Sequence, residues 1–292
     1  MVKSIYYIVD VFAEEKYAGN QLAVFRNTAS MPPEMMQRLA NEMHFSETTF
    51  IASDEEHGGG YDVRIFTPDD ELPFAGHPTL GTAYVIAREI IKKPGVEVRL
   101  NLGVGQITVT VDGQSGVLWM RQKEPAFLRT FMAADLAGML GIVPGDTDGR
   151  FPVEEVSTGI PFIMVPVKSL AAANAAYLDL RQFNAFFGDK KPEGVLVFCP
   201  ETLNKENSLH VRVFTRFPNV PEDPATGSGN GCLAAYLARH RYFDSPKVDI
   251  RVEQGCEMGR PSLLFLSSED KGGSIEVHVG GKVIPVAKGE LE

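Results

Sequence analysis

The sequence has few cysteines and lacks several common catalytic signatures. Its 292 residues include only three cysteines, Cys199, Cys232 and Cys256, and no two of them have CxxC spacing. Neither a disulfide framework nor a zinc knuckle is therefore predicted. The chain contains no GK[ST] and no HExxH, and its GSGNG lacks the third spacing of a dinucleotide fingerprint. We accordingly expect no cofactor and no metal.

Basic charge and long apolar runs are also scarce. The formal net charge is −10 and the pI is near 5.2, which argues against a nucleic-acid or anionic-membrane partner. No run approaches the roughly 20 apolar residues of a membrane span. The first residues, MVKSIYYIVDVF, are interrupted by Asp10 and show no cleavage site. We expect a cytoplasmic globular protein with a small-molecule ligand.

An internal repeat is the most informative pattern. Residues 63–87 read VRIFTPDDELPFAGHPTLGTAYVIA and residues 211–235 read VRVFTRFPNVPEDPATGSGNGCLAA. Aligned without a gap, at an offset of 148, the two segments are identical at seven of 25 positions. So long a period indicates two copies of one domain. We place the halves at 1–118 and 119–292, with a last strand near 276–290 that can cross back to the first half.

Each copy shows a β-rich run, a glycine- and proline-bearing turn and then a helix. CLAAYLARH after the second turn has helical spacing. Further helices are expected at MPPEMMQRLANEM, at 133–141 and at 171–186. Strands are expected at SIYYIVDVFA, QLAVF, TTFIA, VEVRLNLG, GQITVTV, VLWMRQ, PFIMVPV, GVLVFC, VDIRVEQG, SLLFLSS and SIEVHV. This is an α+β pattern rather than a regular strand–helix alternation.

The two glycine turns are candidates to line a cleft between the copies. The gapless alignment sets Ala75 against Asp223 and His77 against Ala225, so the two walls would differ chemically. An imidazole and a carboxylate could then polarise opposite ends of a small anion, whose charge is held by free amides at a helix N-terminus. The simpler interpretation is that Asp223 starts a turn and His77 caps a helix.

A further candidate lies in HFSETTFI at residues 44–51. Strand alternation puts Phe45, Glu47, Thr49 and Ile51 on one face, so Glu47 shares that face with apolar side chains. Desolvation would favour its protonated form, which suits a general acid/base that takes and returns a proton. The alternative is an exposed glutamate at the start of a strand.

Five motifs, in order along the chain, resemble the phenazine-biosynthesis PhzF-like family. They are SETTF at 46–50, AGHPTLGTA at 75–83, STGIPFIMVPV at 157–167, EDPATGSGNG at 222–231 and EQGCEMGRPS at 253–262. The resemblance covers essentially the whole chain. It implies a diaminopimelate epimerase-like fold, which has two pseudo-symmetric α+β domains. Each is a curved β-sheet or barrel around a central helix, with the active site between them.

For catalysis, the resemblance implies a cofactor-independent isomerase that moves a proton between carbons. Glu47, the glutamate of the SET motif, corresponds to the single acid/base. His77 and Asp223 correspond to residues that contact the substrate and assist the transfer. The sequence has GNQ at 19–21, where family members often have GNP, and this departure concerns only the local loop.

The resemblance also implies how the substrate is held. Ser46, Gly76, Gly227 and Ser228 correspond to substrate-binding positions, with the amides of Gly227 and Ser228 at the carboxylate. A small carboxylate substrate is implied, cyclic or aromatic among the options, and the motifs do not identify it. The family further implies a homodimer.

Two other functions remain open at this level. Epimerases of this fold use one thiol from each domain, whereas the corresponding turns here carry Ala75 and Asp223. Cys232 is expected to pack in the core, so a two-thiol racemase is disfavoured. The other alternative is a carboxylate-binding protein that keeps the cleft without turnover, which would not require an acid/base.

Overall fold

The computed structural model describes residues 4–93 and 95–291. The chain folds into two compact units, one of Met1–Met120 with Gly280–Glu292 and the other of Arg121–Val279. Within the described residues, no helix has the length and apolar character needed to span a bilayer.

The first unit contains a mixed sheet and two α-helices. Its elements are β1 (Ile5–Val11), β2 (Asn20–Arg26), α1 (Pro33–Met43), β3 (Glu47–Ile51), β4 (Tyr61–Phe66), β5 (Glu71–Leu72), α2 (Gly76–Val85), β6 (Glu97–Leu102), β7 (Gly105–Val111), β8 (Leu118–Arg121) and β18 (Val283–Glu290). The strands pair in the order β18–β1–β2–β3–β4–β6–β7–β8, with β5 as a short hairpin on β4. Only β2–β3 and β4–β6 are parallel among these pairs.

The second unit repeats this arrangement. Its elements are β9 (Ala126–Phe131), α3 (Ala133–Leu140), β10 (Val153–Ser157), β11 (Pro161–Pro166), α4 (Leu170–Ala175), α5 (Leu180–Phe187), β12 (Gly194–Cys199), β13 (Leu209–Thr215), β14 (Glu222–Asp223), α6 (Gly227–Arg239), β15 (Lys247–Gln254), β16 (Ser262–Asp270) and β17 (Ile275–Gly281). From β10 to β16 the order and direction of pairing are those of β1 to β7. The repeat seen in the sequence is thus a repeat of topology.

A central helix is buried in each unit. Nine of the ten residues of α2 are buried, and so are eleven of the thirteen residues of α6. A helix that is buried on nearly all sides must be surrounded by its sheet. Helix α2 contacts β1, β2, β3, β6 and β7, and α6 contacts β10, β11, β15 and β16. The predicted α+β class, with a sheet around a central helix in each half, is confirmed.

The gapless alignment of the two copies is wrong at the turn. In the first unit Ile65 pairs with Leu72, and in the second Val213 pairs with Asp223. The offset between the copies is therefore 148 at β4 and β13 but 151 at β5 and β14, because the second loop is three residues longer. Asp223 corresponds to Leu72, and not to Ala75 as predicted.

The same correction applies at the start of the central helices. Helix α2 begins at Gly76 and α6 begins at Gly227, so His77 corresponds to Ser228 and not to Ala225. The N-cap residues are Ala75 in the first unit and Thr226 in the second. The turn before the central helix carries no cysteine in either unit, in agreement with the sequence.

The helix predicted at 171–186 is two helices, α4 and α5. Asp179 caps the second one, since its carboxylate accepts hydrogen bonds from the backbone N–H groups of Arg181 and Gln182. The guanidinium of Arg212 donates to the carbonyls of Ala173, Asn174 and Ala176 at the end of α4. A buried cation on these carbonyls stabilises the helix end, and 171–186 carries no glycine or proline to indicate the break.

Other differences are smaller. Helix α2 continues as a π-helical segment, Ile86–Ile91, which the sequence did not indicate. Strands β9 and β10 were also not predicted. The single strand expected near 276–290 is two strands, β17 and β18, and β18 pairs with β1 of the first unit.

Candidate active site

Glu47 and His77 form a close pair in the first unit. Glu47 is the first residue of β3, and His77 is the second residue of α2. Glu47 Oε2 lies 3.4 Å from His77 Nε2, and the two side chains are 17% and 6% exposed. Thirty residues apart in sequence, they meet because β3 packs against the start of the central helix.

Buried polar contacts set β3 against α2. The hydroxyl of Thr82 donates to that of Thr49 at 2.8 Å, and both residues are fully buried. Glu47 and Thr49 are two residues apart on one strand, so their side chains point to the same face. Glu47 is thus directed towards the helix. The alternative of an exposed glutamate at a strand start does not hold.

The charge state of His77 follows from its burial. Burial lowers the pKa of His77 from 6.5 to about 3, and a backbone hydrogen bond with Gln21 only partly opposes this effect. The imidazole is therefore neutral at physiological pH, and its contact with Glu47 is not an ion pair. Because the Gln21 contact raises the pKa of the ring, the backbone group must be an acceptor, namely the carbonyl.

The tautomer of His77 can be assigned from these contacts. Among the described residues Nε2 makes no hydrogen bond of good geometry, so the Gln21 carbonyl is bound through Nδ1–H. A neutral imidazole that donates from Nδ1 carries a lone pair on Nε2. The nitrogen that faces Glu47 can therefore accept a hydrogen bond.

The remaining residues predicted in the first unit flank this pair. Ser46 immediately precedes Glu47, in the short link between α1 and β3. Gly76 is the first residue of α2 and is buried. The first backbone N–H groups of a helix have no intrahelical acceptor, and those of Gly76 and His77 are the first two of α2.

Asp223, Gly227 and Ser228 belong to the second unit. Asp223 ends β14, and Gly227 and Ser228 open α6 after the N-cap residue Thr226. The hydroxyl of Thr226 donates to Asp223 Oδ2. The structure thus gathers these three residues at the N-terminus of one thirteen-residue helix, where the helix dipole favours an anion.

Sequence reasoning gave no role to the residues that support this turn. Gln254, at the end of β15, and Asn230, in α6, are 1% and 0% exposed. Gln254 hydrogen-bonds the backbone oxygen of Asp223 at 2.7 Å and Asn230 at 2.8 Å. Gln254 and Asn230 both lie in motifs noted in the sequence, EQGCEMGRPS and EDPATGSGNG. They are 24 residues apart, and no sequence spacing predicts a contact over that distance.

The three thiols are not arranged for acid/base chemistry. Burial raises the pKa of Cys199 to about 12 and the pKa of Cys232 and Cys256 to about 11. All three are therefore protonated at neutral pH. Cys232 is fully buried and contacts Thr158 and the carbonyl of Ile160, which confirms its predicted packing role. In the described part of the chain no group of His, Cys, Asp or Glu side chains is placed to hold a metal ion.

Comparison with known proteins identifies the family of this chain. Residues 9–289 match the family described as phenazine biosynthesis-like protein. A trans-2,3-dihydro-3-hydroxyanthranilate isomerase of Pseudomonas aeruginosa is 35% identical, over 97% of this chain and 98% of that protein.

Solved structures show the same fold. The Bacillus anthracis phenazine biosynthesis protein of the PhzF family is similar with a TM-score of 0.90 and 25% identity, covering all of both chains. A probable proline racemase of Agrobacterium radiobacter has a TM-score of 0.62 at 12% identity, over 99% of this chain and 93% of that one. The second likeness concerns the fold alone.

Proposed function

Since this chain belongs to the phenazine biosynthesis-like protein family and is an isomerase of the PhzF type, we propose that it moves a proton between two carbons of a small carboxylate-bearing metabolite. Glu47 acts as the single acid/base, and no cofactor takes part. The observation that carries the proposal is the largely buried carboxylate of Glu47 at 3.4 Å from a neutral imidazole.

The proton balance of such a reaction is simple. The Glu47 carboxylate removes a proton from one carbon, and the electron pair of the broken C–H bond moves into the conjugated system of the substrate. The carboxylic acid then returns the proton to a second carbon, and a double bond shifts between the two positions. Nothing is oxidised or reduced, so the enzyme needs no external acceptor. A partly desolvated carboxylate is suited to both steps.

His77 and Asp223 assist this transfer in the proposal. Nε2 of His77 accepts a hydrogen bond from the substrate or from protonated Glu47, and this holds the acid in place between the two steps. Asp223 contacts a polar group of the same substrate. The amides that open α6, at Gly227 and Ser228, bind the substrate carboxylate with help from the helix dipole, and Ser46 and Gly76 complete the binding surface.

The structure of the thiols disfavours the epimerase alternative. A two-base racemase requires a base on one face of the substrate and an acid on the other, and the buried thiols of this chain, all three protonated, do not supply the base. A homodimer is proposed from the family alone, and sedimentation equilibrium would measure the oligomeric state.

The proposal is tested by following solvent deuterium into carbon. Trans-2,3-dihydro-3-hydroxyanthranilate, the compound named for the Pseudomonas relatives, and a panel of cyclic carboxylates are incubated with the enzyme in heavy water. Mass spectrometry then measures incorporation. We expect incorporation by the wild type and a loss of about 100-fold to 10⁴-fold in Glu47→Gln.

Glu42→Gln is the matched control, since Glu42 is exposed on α1 and the substitution is the same. It should keep the wild-type rate. Full activity of Glu47→Gln would show that another group is the acid/base. Binding of a panel compound without any incorporation would favour the carboxylate-binding protein instead.

A further inference from the structure

The turn between β14 and α6 is supported by three buried polar side chains. Gln254 Nε2 lies 2.7 Å from the backbone oxygen of Asp223 and 3.1 Å from Thr226 Oγ1. Gln254 Oε1 lies 2.8 Å from Asn230 Nδ2 and 3.3 Å from the backbone nitrogen of Thr226. Asn230 Nδ2 also reaches the backbone oxygen of Thr226 at 3.0 Å.

Backbone groups determine how both amides are oriented. The N–H of Thr226 can only donate, so the Gln254 atom beside it must be the oxygen. The carbonyls of Thr226 and Asp223 can only accept, so the atoms of Asn230 and Gln254 beside them must be the NH₂ groups. The orientations of the Gln254 and Asn230 amides are then determined, because neither amide can be flipped and keep the same contacts.

The orientation of Gln254 in turn determines the Thr226 hydroxyl. Gln254 Nε2 donates to Thr226 Oγ1, so the hydroxyl is an acceptor on that side. A threonine hydroxyl has a single hydrogen to donate. That hydrogen is directed to Asp223 Oδ2, which the hydroxyl contacts. The donors therefore run in one direction, from Gln254 through Thr226 to the Asp223 carboxylate.

The backbone of Gln254 is held by strand pairing on both sides. It is paired with Val211 on one side and Ser262 on the other, at the end of a central strand. Gly255 follows with φ +75, and a Cβ there would lie 2.5 Å from the carbonyl oxygen of Pro224. The end of β15 thus packs closely against the segment that carries Asp223, and a larger residue at 255 would separate them.

We propose that Gln254 is a positioning residue, which acts through Thr226 to hold the Asp223 carboxylate in one orientation. The inference rests on the proposed function only for the role of Asp223 as a substrate contact. A glutamine suits this position because it donates to Asp223 and Thr226 with one end and accepts from α6 with the other. A carboxylate of the same shape could not donate at all.

Two pairs of variants test the proposal. Gln254→Glu keeps the shape but removes the donor, so the Thr226 hydroxyl should turn towards the introduced carboxylate and lose its hydrogen bond to Asp223 Oδ2. Thr226→Val removes the hydroxyl directly, while Thr226→Ser keeps it. Gln37→Glu is the matched control, because Gln37 Nε2 also donates two hydrogen bonds, to the carbonyls of Thr67 and Pro68, in the other unit.

The first measurement is the substrate-free crystal structure of each variant. We expect the Asp223 side chain to change rotamer in Gln254→Glu and Thr226→Val, and to keep the wild-type rotamer in Thr226→Ser and Gln37→Glu. Unchanged geometry of Asp223 in both of the first two variants would overturn the proposal. This arm needs no turnover, so it decides the inference even if the proposed reaction is not observed.

The second measurement is the split between kcat and KM on the substrate found by the heavy-water experiment. Loss of a hydrogen bond to a charged group should lower kcat by about 10- to 100-fold in Gln254→Glu and Thr226→Val, with a smaller change in KM. Thr226→Ser should recover most of kcat. A merely structural role predicts lower thermal stability with unchanged kcat, and that result, or failure of Thr226→Ser to recover activity, would also overturn the proposal.

Discussion

Each unit contains a deeply buried histidine, and the two are held in opposite charge states. His77 in the first unit is 6% exposed and His210 in the second is fully buried. Burial lowers the pKa of His77 to about 3. Burial also acts to lower the pKa of His210, but hydrogen bonds to Glu253 and Glu257 outweigh it and raise the value to about 9.

The partners of His210 explain this difference. Its Nδ1 and Nε2 each lie 2.9 Å from a carboxylate oxygen, of Glu253 and Glu257 respectively. Glu253 also accepts hydrogen bonds from the N–H groups of Leu203 and Asn204, and its pKa is lowered to about 2 despite its burial. The buried imidazolium of His210 is thus paired with a carboxylate at each ring nitrogen, and we assign it a structural role and not a catalytic one.

The comparison separates function from stability. The lone pair on His77 Nε2 faces the Glu47 carboxyl group and can accept a hydrogen bond, whereas both nitrogens of His210 are already hydrogen-bonded to carboxylates. Histidine therefore takes part in the proposed chemistry in the first unit, at His77. In the second unit His210 of β13 binds Glu253 of β15 and has a structural role.

The His210→Gln variant should lose the most stability. Two carboxylates would remain buried without their cation, which costs about 3–5 kcal/mol of unfolding free energy. Urea unfolding measures the loss. His278→Gln is the control, because His278 also lies beside a glutamate, Glu276 at 3.1 Å, but is 35% exposed. It should change stability by less than about 0.5 kcal/mol, and equal losses in both variants would contradict the buried-cluster interpretation.

The His77→Gln variant should lose activity rather than stability. Because the neutral ring assists Glu47, deuterium incorporation should fall by about 100-fold. His210→Gln, compared per folded molecule, should keep within about tenfold of the wild-type rate. The assignment would be reversed if His210→Gln, and not His77→Gln, removed turnover.

The two central helices should respond differently to an added methyl group. At Gly81 of α2 a Cβ would lie 2.5 Å from Leu22 Cδ2 and 2.8 Å from Val11 Cγ2, so Gly81→Ala should cost about 1–3 kcal/mol. At Gly229 of α6 the nearest atom is Thr226 Cγ2 at 3.3 Å. There the gain in helix propensity, about 1 kcal/mol, should offset the contact. Urea midpoints of the two variants measure the contrast.

The pH dependence of stability should have the opposite sign for the two histidines. The pKa of His77 lies below that of an unfolded histidine, so its contribution is lost as pH falls through 6.5 towards 3. The pKa of His210 lies above it, so its contribution is present below about 6.5 and is lost as pH rises towards 9. Each slope should be about 1 kcal/mol per pH unit.

Urea unfolding at pH 5, 6, 7 and 8 separates these slopes. His77→Gln should remove the part of the acid slope that His77 causes, and His210→Gln should remove the corresponding alkaline part. A wild-type slope between pH 7 and 8 that His210→Gln leaves unchanged would mean that His210 is not the group that titrates.

Much of this organisation could be predicted from local patterns. The alternation in HFSETTFI placed Glu47 on one face with Thr49 and Ile51, and the glycine turns before apolar runs predicted a helix in each half. The second helix begins at Gly227, five residues before the predicted start at Cys232, so GSGNG is its first part and not a turn. These predictions could be made from the sequence because the face of a strand or a helix is defined by residues that are close in sequence. The repeated segments likewise predicted the repeated topology. The substrate roles of the site residues stay predictions until the heavy-water experiment is done.

What the sequence could not show depends on contacts between distant residues. The three-residue difference in loop length shifted Asp223 into register with Leu72, and only strand pairing revealed it. The charge of His210 depends on Glu253, 43 residues away, and the orientation of Asp223 depends on Gln254, 31 residues away. Local pattern thus determined the elements and the candidate residues. The tertiary structure alone decided their charge states and partners, because burial and hydrogen bonding arise only when the sheet closes around its helix.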